Sequence, residues 1–270
     1  MNVNFGGVAY AYTEADIDFD PVLELEDVEM ELDTWAAKYI RTFEFLDKSA
    51  RVDITQGYQK AKWKGLLDGA PASTDRKGLS DTFVRLAVNL YGAPPLQGKD
   101  FADYRAERDT DTIVGVGLAV RLPTGDYQDE KLLNLGGNRF VFRPQLGVSH
   151  VRGKWTTELA TEVALHTEND DFFDGNKLEQ EPLYIAHAHL IHTFRPGLWL
   201  GASVGYDYGG ESEVNGEKRD DRKEDFGWGI NAAYPINPHL GVKLGYTNIG
   251  TQEVTGQDSD TLLVSLAYMW

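Results

Sequence analysis

The sequence predicts an all-β fold, a closed antiparallel transmembrane β-barrel of about 12 strands with short periplasmic turns and long extracellular loops. Three observations predict it. Apolar residues alternate with polar or small ones over some dozen segments, each near the roughly 9–11 residues that a tilted strand needs to cross a bilayer. The connections between segments almost alternate between short and long. Aromatic residues, among them Trp155, Tyr208, Tyr234, Tyr246 and Trp270, fall near segment ends, where interfacial girdles sit. In a β-sandwich the apolar parity would face a core and the polar parity water, and any single strand fits both pictures. The connections and the aromatics favour the barrel.

Composition agrees. A chain of 270 residues with Gly 28, Tyr 13, Phe 12 and Trp 6 suits one large β domain spanning 1–270. It has no cysteine, which excludes a disulfide framework and a thiolate metal site and suits an exported protein. No apolar run reaches the roughly 18 residues of a membrane helix. The chain opens directly on strand-like sequence at Asn2 to Gly7 and reads as a mature form. A net charge of -17 excludes ordinary nucleic-acid binding, which needs a basic footprint.

In chain order, the first strand runs from Val3 to Ile17, with Phe5, Ala9 and Ala11 on one parity and Val8, Tyr10 and Tyr12 on the other; the pattern leaves its register open. Ten acidic residues lie between Glu14 and Asp33, and no Lys or Arg precedes Lys38. This acidic stretch, with Pro21, reads as a loop that folds outward or into the lumen. The second strand spans about 32–45. In the third, 51–63, Val52 and Ile54 alternate with Arg51, Asp53 and Thr55. Residues 65–78, with Gly69, Pro71 and Ser73, read as a turn-rich loop. The fourth strand sets Val84, Leu86 and Val88 against Asp81, Arg85 and Asn89, and the fifth sets Val114, Val116 and Leu118 against Gly115, Gly117 and Arg121. Between them, Pro94-Pro95 opens an excursion over 94–108, with a short helix from an Asp100 cap carrying Phe101 and Tyr104.

The sixth strand places Phe140, Phe142, Leu146 and Val148 opposite Arg139, Arg143 and Gln145, and Pro144 falls within its apolar parity. A proline cannot donate to the ladder there, so it predicts a kink or a weakened wall with a side exit. The seventh strand has Leu159, Val163 and Leu165 against Glu158, Glu162 and His166; the eighth has Tyr184, Ala186, Ala188 and Leu190 opposite His187 and His189. The ninth, tenth and eleventh carry Leu198 to Tyr208, Phe226 to Tyr234 and Leu240 to Tyr246. The twelfth ends in Leu262, Val264, Leu266, Tyr268 and Trp270 on one face. Turns at 46–49, 151–153, 195–197 and 236–239 are short; loops near 18–29, 65–78, 124–138, 168–181, 209–222 and 249–259 are long and polar. That puts both termini on the periplasmic side and makes the 94–108 excursion periplasmic.

Against this pattern, several short motifs stand in order: Asn89-Leu-Tyr-Gly-Ala93, Leu122-Pro-Thr-Gly-Asp-Tyr127, Asn134 with Gly136-Gly-Asn-Arg139, Asn169-Asp-Asp-Phe172, Pro182-Leu-Tyr184 with His189, and Gly209-Gly210. With these motifs the chain resembles the outer-membrane channel family of transporters of the MetA pathway of phenol degradation. The resemblance implies a twelve-stranded barrel in a Gram-negative outer membrane that passes small, often hydrophobic or aromatic molecules. It supplies no single substrate.

The expected inward residues are Arg51, Asp53, Arg85, Asn89, Arg121, Arg139, Arg143, Glu158, Glu162, His187, His189, Asp207 and Lys243. As pore lining they would set an electrostatic corridor; alternatively they pair as a salt-bridged plug. His187 and His189 could join Glu162 or His166 on a metal, though hydrogen-bonded lumen histidines are the commoner case, and no metal or other cofactor is expected. Asp16, Asp18 and Asp20 mimic a calcium loop, but Pro21 stands where that loop needs glycine. The acidic loops either hold cation-bridged lipopolysaccharide or merely solvate the rim.

An enzyme is the competing class, a lipid-acting hydrolase of the outer membrane; an occluded structural barrel is the third. There is no Gly-x-Ser-x-Gly elbow, Ser203 and Ser265 fall on the inward parity, and His192, on the lipid parity, has no serine placed beside it. The expectation is a monomeric, non-enzymatic diffusion channel. Its partners are outer-membrane lipid, lipopolysaccharide, small solutes and the barrel assembly machinery, which the resemblance implies reads Tyr268 and Trp270 as a terminal signal.

Overall fold

The computed structural model describes residues 2–22, 25–67, 69–97, 100, 103–104 and 107–270. The wall is built from β1 (Asn4–Asp20), β2 (Leu25–Phe45), β3 (Lys48–Leu67), β4 (Ala70–Leu79), β5 (Thr82–Tyr91), β6 (Thr110–Leu122), β7 (Val141–Arg152) and β8 (Trp155–His166). It continues through β11 (Leu183–Arg195), β12 (Leu198–Gly209), β15 (Lys223–Pro235), β16 (Leu240–Thr251) and β17 (Gln257–Met269). Within this wall every pairing is antiparallel and, β1 with β17 apart, joins staves that follow one another in the chain; β1 pairs with both β2 and β17, so the sheet closes on itself. β4 and β5 both pair with β3, at its outer and inner halves, and together form one stave; the thirteen strands therefore make twelve staves. Closure removes the edges that lipid cannot satisfy.

The alternation dictates which way each strand faces. Leu86, Leu118, Leu146, Leu159, Leu190, Leu200, Ile230, Leu244 and Leu262 are exposed on the outside, while Asp53, Ala119, Glu162 and Ile185 are buried within. The register of the first strand is now fixed: Val8 is exposed, Tyr10 and Tyr12 share its face, and Phe5 lines the interior. Rings gather at both rims. Tyr10, Trp35 and Tyr58 follow one another at 5.6 and 6.2 Å, and Tyr39, Trp270 and Tyr268 at 6.3 and 5.9 Å.

Three expected loops are corrected. Most of 18–29 and 65–78 is strand: β1 reaches Asp20, β2 begins at Leu25, and β4 lies in what reads as a loop. The 21 residues of β2, at about 3.3 Å each and tilted about 40°, rise roughly 50 Å, twice the roughly 25 Å apolar band. The upper halves of these staves therefore stand in water, and the acidic residues sit on a wet continuation of the wall rather than in a lumen-filling loop. The loop at 249–259 shrinks to 252–256 because β16 and β17 extend toward each other. The loops over 168–181 and 209–222 carry β9 (Asn169–Phe172), β10 (Asn176–Gln180), β13 (Ser212–Val214) and β14 (Glu217–Lys218), which form a separate small sheet at the same rim.

The main apolar cluster lies inside this raised mouth. Leu25, Val28, Ala61 and Trp63 pack together, with Leu132, Leu133 and Leu135 of the 124–138 loop against them. Of the 94–108 excursion, Asp100, Asp103 and Tyr104 are helical and Phe101 lies outside the described residues. Its described part is tied to the wall by Tyr104, whose hydroxyl bonds Asp111 at 3.2 Å, and Arg108 of the same excursion sits 4.4 Å over the Tyr104 ring.

Candidate functional site: the barrel interior

The interior holds a cavity of about 760 Å³. Small inward residues make the room: Ala87 with Gly117, and Gly115 with Gly147 and Ala160, form two adjacent rows across β5 to β8. Of the expected inward residues, Arg51, Arg85, Asn89, Glu158, Glu162, His187 and His189 line this cavity. Asp53 lies behind the arginines. Val3, Phe5, Ala93, Pro94, Leu96 and Met269 line the same cavity at the rim of the termini, so it opens there.

Several of these charges are paired, as burial favours. Asp53, with a side chain only 4% exposed, faces Arg85 at 2.9 Å, Arg51 at 3.2 Å and Lys38 at 3.7 Å. Glu162 accepts hydrogen bonds from both Arg143 and Gln145 on the neighbouring strand. Arg139 donates to Gln180 at 2.6 Å, which in turn donates to the Gly210 carbonyl at 2.8 Å. Asn89 donates to Ser49 at 2.8 Å, and Ser49 to the Ala93 carbonyl at 2.7 Å. Asp207 sits between the exposed Tyr206 and Tyr208, and Lys243 beside the exposed Leu244, so both turn inward on β12 and β16. Lys243 Nζ is 6.0 Å from the centre of the Trp199 ring.

Asp81 is the residue that strand parity alone does not single out. It is 4% exposed, and its two oxygens accept the backbone N–H groups of Gly125 and Gly137, each at 2.9 Å, with Arg121 3.5 Å away. Asp126 continues the clamp: its carboxylate accepts from Leu79 N–H at 2.7 Å, and its own N–H donates to the Leu79 carbonyl at 2.8 Å. Gly125 and Gly136 pass so closely that a Cβ on Gly136 would lie 2.8 Å from the Gly125 carbonyl carbon. The loop is also braced internally, since Asn134 bonds the Gln128 and Lys131 backbone. Outside it, Asn169 donates to the Tyr127 hydroxyl at 2.9 Å and Asn138 to Asn169 at 2.9 Å. Burial raises the Tyr127 phenol above its ordinary pKa. The motifs at 122–127, 134–139 and 169–172 thus lash one loop across the inside of the mouth, above the cavity.

Among the described residues no three His, Asp or Glu side chains come together in a group able to hold a metal ion. His189 Nδ1 instead meets Ser203 Oγ at 2.8 Å, and the His187 and His189 rings are 5.9 Å apart. Glu158 stands opposite His189 in the ladder and interacts with the Ser149 hydroxyl at 3.5 Å. His192 packs on Trp155 at 4.5 Å and on Phe194 at 4.8 Å.

No curated protein matches the chain in sequence. Among solved structures, the COG4313 outer membrane channel from Pseudomonas putida F1 superposes with a TM-score of 0.83 at 19% identity, covering 100% of this chain and 96% of that one. The β domain of the Bordetella autotransporter BrkA gives 0.56 at 10% identity, with 100% of both chains covered. The transport unit of the Escherichia coli autotransporter AIDA-I gives 0.56 at 10%, covering 99% and 90%. These likenesses establish the fold as that of outer-membrane β-barrels. The model of the family described as "Putative MetA-pathway of phenol degradation" matches residues 25–259, and the chain belongs to that family.

Proposed function

We propose that the protein is an outer-membrane diffusion channel for uptake of small hydrophobic or aromatic molecules, acting as a monomer without cofactor or covalent chemistry. The observation that carries this reading is the cavity of about 760 Å³ inside a closed wall, opening at the rim of the termini. Cavities of this size hold single drug-sized molecules. Arg51, Arg85, Asn89, Glu158, Glu162, His187 and His189 set the polarity along the route, with Asp53 holding the two arginines in place. The lashed 124–138 loop covers the outer entrance, so solute size and loop position set the selection. Lipopolysaccharide and outer-leaflet lipid surround the girdles.

The test is flux. Purified protein in liposomes is assayed for single-channel conductance and for swelling with small aromatic and sugar solutes; absence of both overturns the reading. The Ser203–His189 bond favours a hydrolase as second reading. A serine and a histidine need an orienting acid and oxyanion donors, and an esterase assay in detergent decides: hydrolysis lost in Ser203→Ala would support the enzyme.

A further inference from the structure

The outer face of the raised wall is divided by charge. On β1, β2 and β17 the residues that continue the lipid-facing parity above the aromatics are acids. Glu14 stands in the ladder between Glu31 and Asp260, and Asp16 between Glu29 and Asp258. The phenols below are turned up to this belt, Tyr10 donating to Asp33 at 2.6 Å, Tyr12 to Glu14 at 2.9 Å, and Tyr246 to Asp260. On β3 and β4 the same parity is basic. Lys60, Lys62 and Lys64 alternate outward on β3, and Lys77 of β4 stands directly opposite Lys60. In a chain of net charge -17, this column is a local inversion of sign.

The column is not balanced from within the protein. Lys62 meets Glu31 at 3.6 Å and lies opposite Asp75. Lys60, Lys64 and Lys77 are exposed, and among the described residues none of the three forms an ion pair. Like charges directly opposite one another destabilise a sheet, so the Lys60–Lys77 pair is relieved by an anion from outside. The height of the pair says where that anion comes from. Tyr58 and Leu79 are both exposed and oppose each other one outward step below, with the Trp35 ring 6.2 Å from that of Tyr58. One such step is about 7 Å of strand, which carries the wall from the aromatic girdle to the level of the headgroups. Above it the wall continues past Lys64 to Leu67, alongside a sugar layer that a phospholipid does not have.

We propose that this face of β3 and β4 is a docking site for one lipopolysaccharide molecule. Its lipid A phosphate lies between Lys60 and Lys77 with Lys64 above, its acyl chains run down over Tyr58, Leu79 and Trp35, and its core sugars rise along the wall. The acidic belt on β1 and β2 repels phosphate, so the lipid is held to the basic staves. The site rests on the placement of the barrel in the outer membrane and not on what the barrel conducts.

The test compares the full-length wild-type chain with Lys60→Gln/Lys77→Gln, both purified in detergent, stripped of lipid and shown to be folded by heat-modifiable mobility. Binding of purified lipopolysaccharide, of the same lipid with its phosphates removed, and of phosphatidylglycerol is measured by native mass spectrometry. EDTA is present throughout, which removes any contact that a divalent cation bridges to the acidic belt. Wild type should bind lipopolysaccharide about thirtyfold more tightly than the double variant does. The dephosphorylated lipid should bind wild type as weakly as the intact lipid binds the variant, and phosphatidylglycerol should bind wild type less tightly than lipopolysaccharide. Lys48→Gln/Lys154→Gln, the same charge change at exposed turns of the opposite rim, should keep wild-type affinity. Equal affinity of wild type and Lys60→Gln/Lys77→Gln for lipopolysaccharide overturns the site, as does an equal loss in the Lys48→Gln/Lys154→Gln control. Equal affinity of wild type for phosphatidylglycerol and lipopolysaccharide overturns the choice of lipid. Absence of solute flux through the wild-type barrel overturns the channel reading and leaves this site standing.

Discussion

Replacing Asp53 with Asn removes one charge from a site where three cations converge, and the structure allows its cost to be worked out. Arg85, 29% exposed, is the partner that matters; Arg51 and Lys38 are 44% exposed, and screening holds each of those pairs to at most about 1 kcal/mol. Removing one member of a buried ion pair costs about 3–5 kcal/mol. The wet lumen places this site at the lower end, so Asp53→Asn should destabilise the barrel by about 3 kcal/mol. Urea unfolding in detergent micelles, followed by tryptophan fluorescence, reads this as an earlier midpoint at unchanged slope. The same change leaves three cations against no carboxylate, so the reversal potential in a salt gradient should move toward anions. A variant with wild-type midpoint and wild-type selectivity would refute the argument that Asp53 is the counter-charge of this layer.

Three other substitutions probe separate parts of the molecule. Asp81→Ala strands the Gly125 and Gly137 N–H groups at about 1–3 kcal/mol each, so the 124–138 loop should loosen and trypsin should cut at Lys131 much faster than in wild type. Gly136→Ala forces a Cβ against the Gly125 backbone and should cost about 1–3 kcal/mol in the same unfolding assay. Gly250→Ala, whose Cβ would meet nothing closer than 3.8 Å, is the control and should stay within about 0.5 kcal/mol. Deleting Trp270 removes two backbone bonds to Asn4, at 3.0 and 2.9 Å, and the ring against Tyr39; the yield of inserted barrel should fall while flux per folded molecule holds, and normal surface assembly would refute the role given to this residue.

The membrane part of the wall is legible in the sequence because lipid on one side and a polar lumen on the other force a period of two. Leu86 against Arg85, or Leu159 against Glu158, is readable without a structure. Where both faces of a strand are wet the period vanishes, which is why β4 and the outer ends of β1 and β2 read as loops. Partners are less legible than faces: that Arg143 and Gln145 share Glu162, or that Asp53 gathers three cations, depends on a register no single strand displays. Asp81 falls on the inward parity, yet nothing in its own strand announces that it clamps a loop at positions 44 and 56 residues onward. Its signal lies elsewhere, in the glycines at 125, 136 and 137, which mark a backbone that something must approach closely. Pro144 stands out in its own strand, and its structural consequence, the gap in the β7–β8 ladder between Phe142 and Gln145, follows from the missing N–H.

Every stave but one pair is laid beside the stave that precedes it in the chain, so the barrel can grow hairpin by hairpin with only local loops to close. The exception is the contact of β1 with β17, from Phe5 opposite Met269 to Ile17 opposite Gln257. Nearly the whole ring-closure entropy falls on that one event, about 5 kcal/mol for a loop of this length. Assembly therefore has a single late step at which a nearly finished sheet is still open and its first strand waits for its last. A factor that holds β1 and the final aromatic residues side by side would govern the speed of biogenesis without altering the stability of the finished protein.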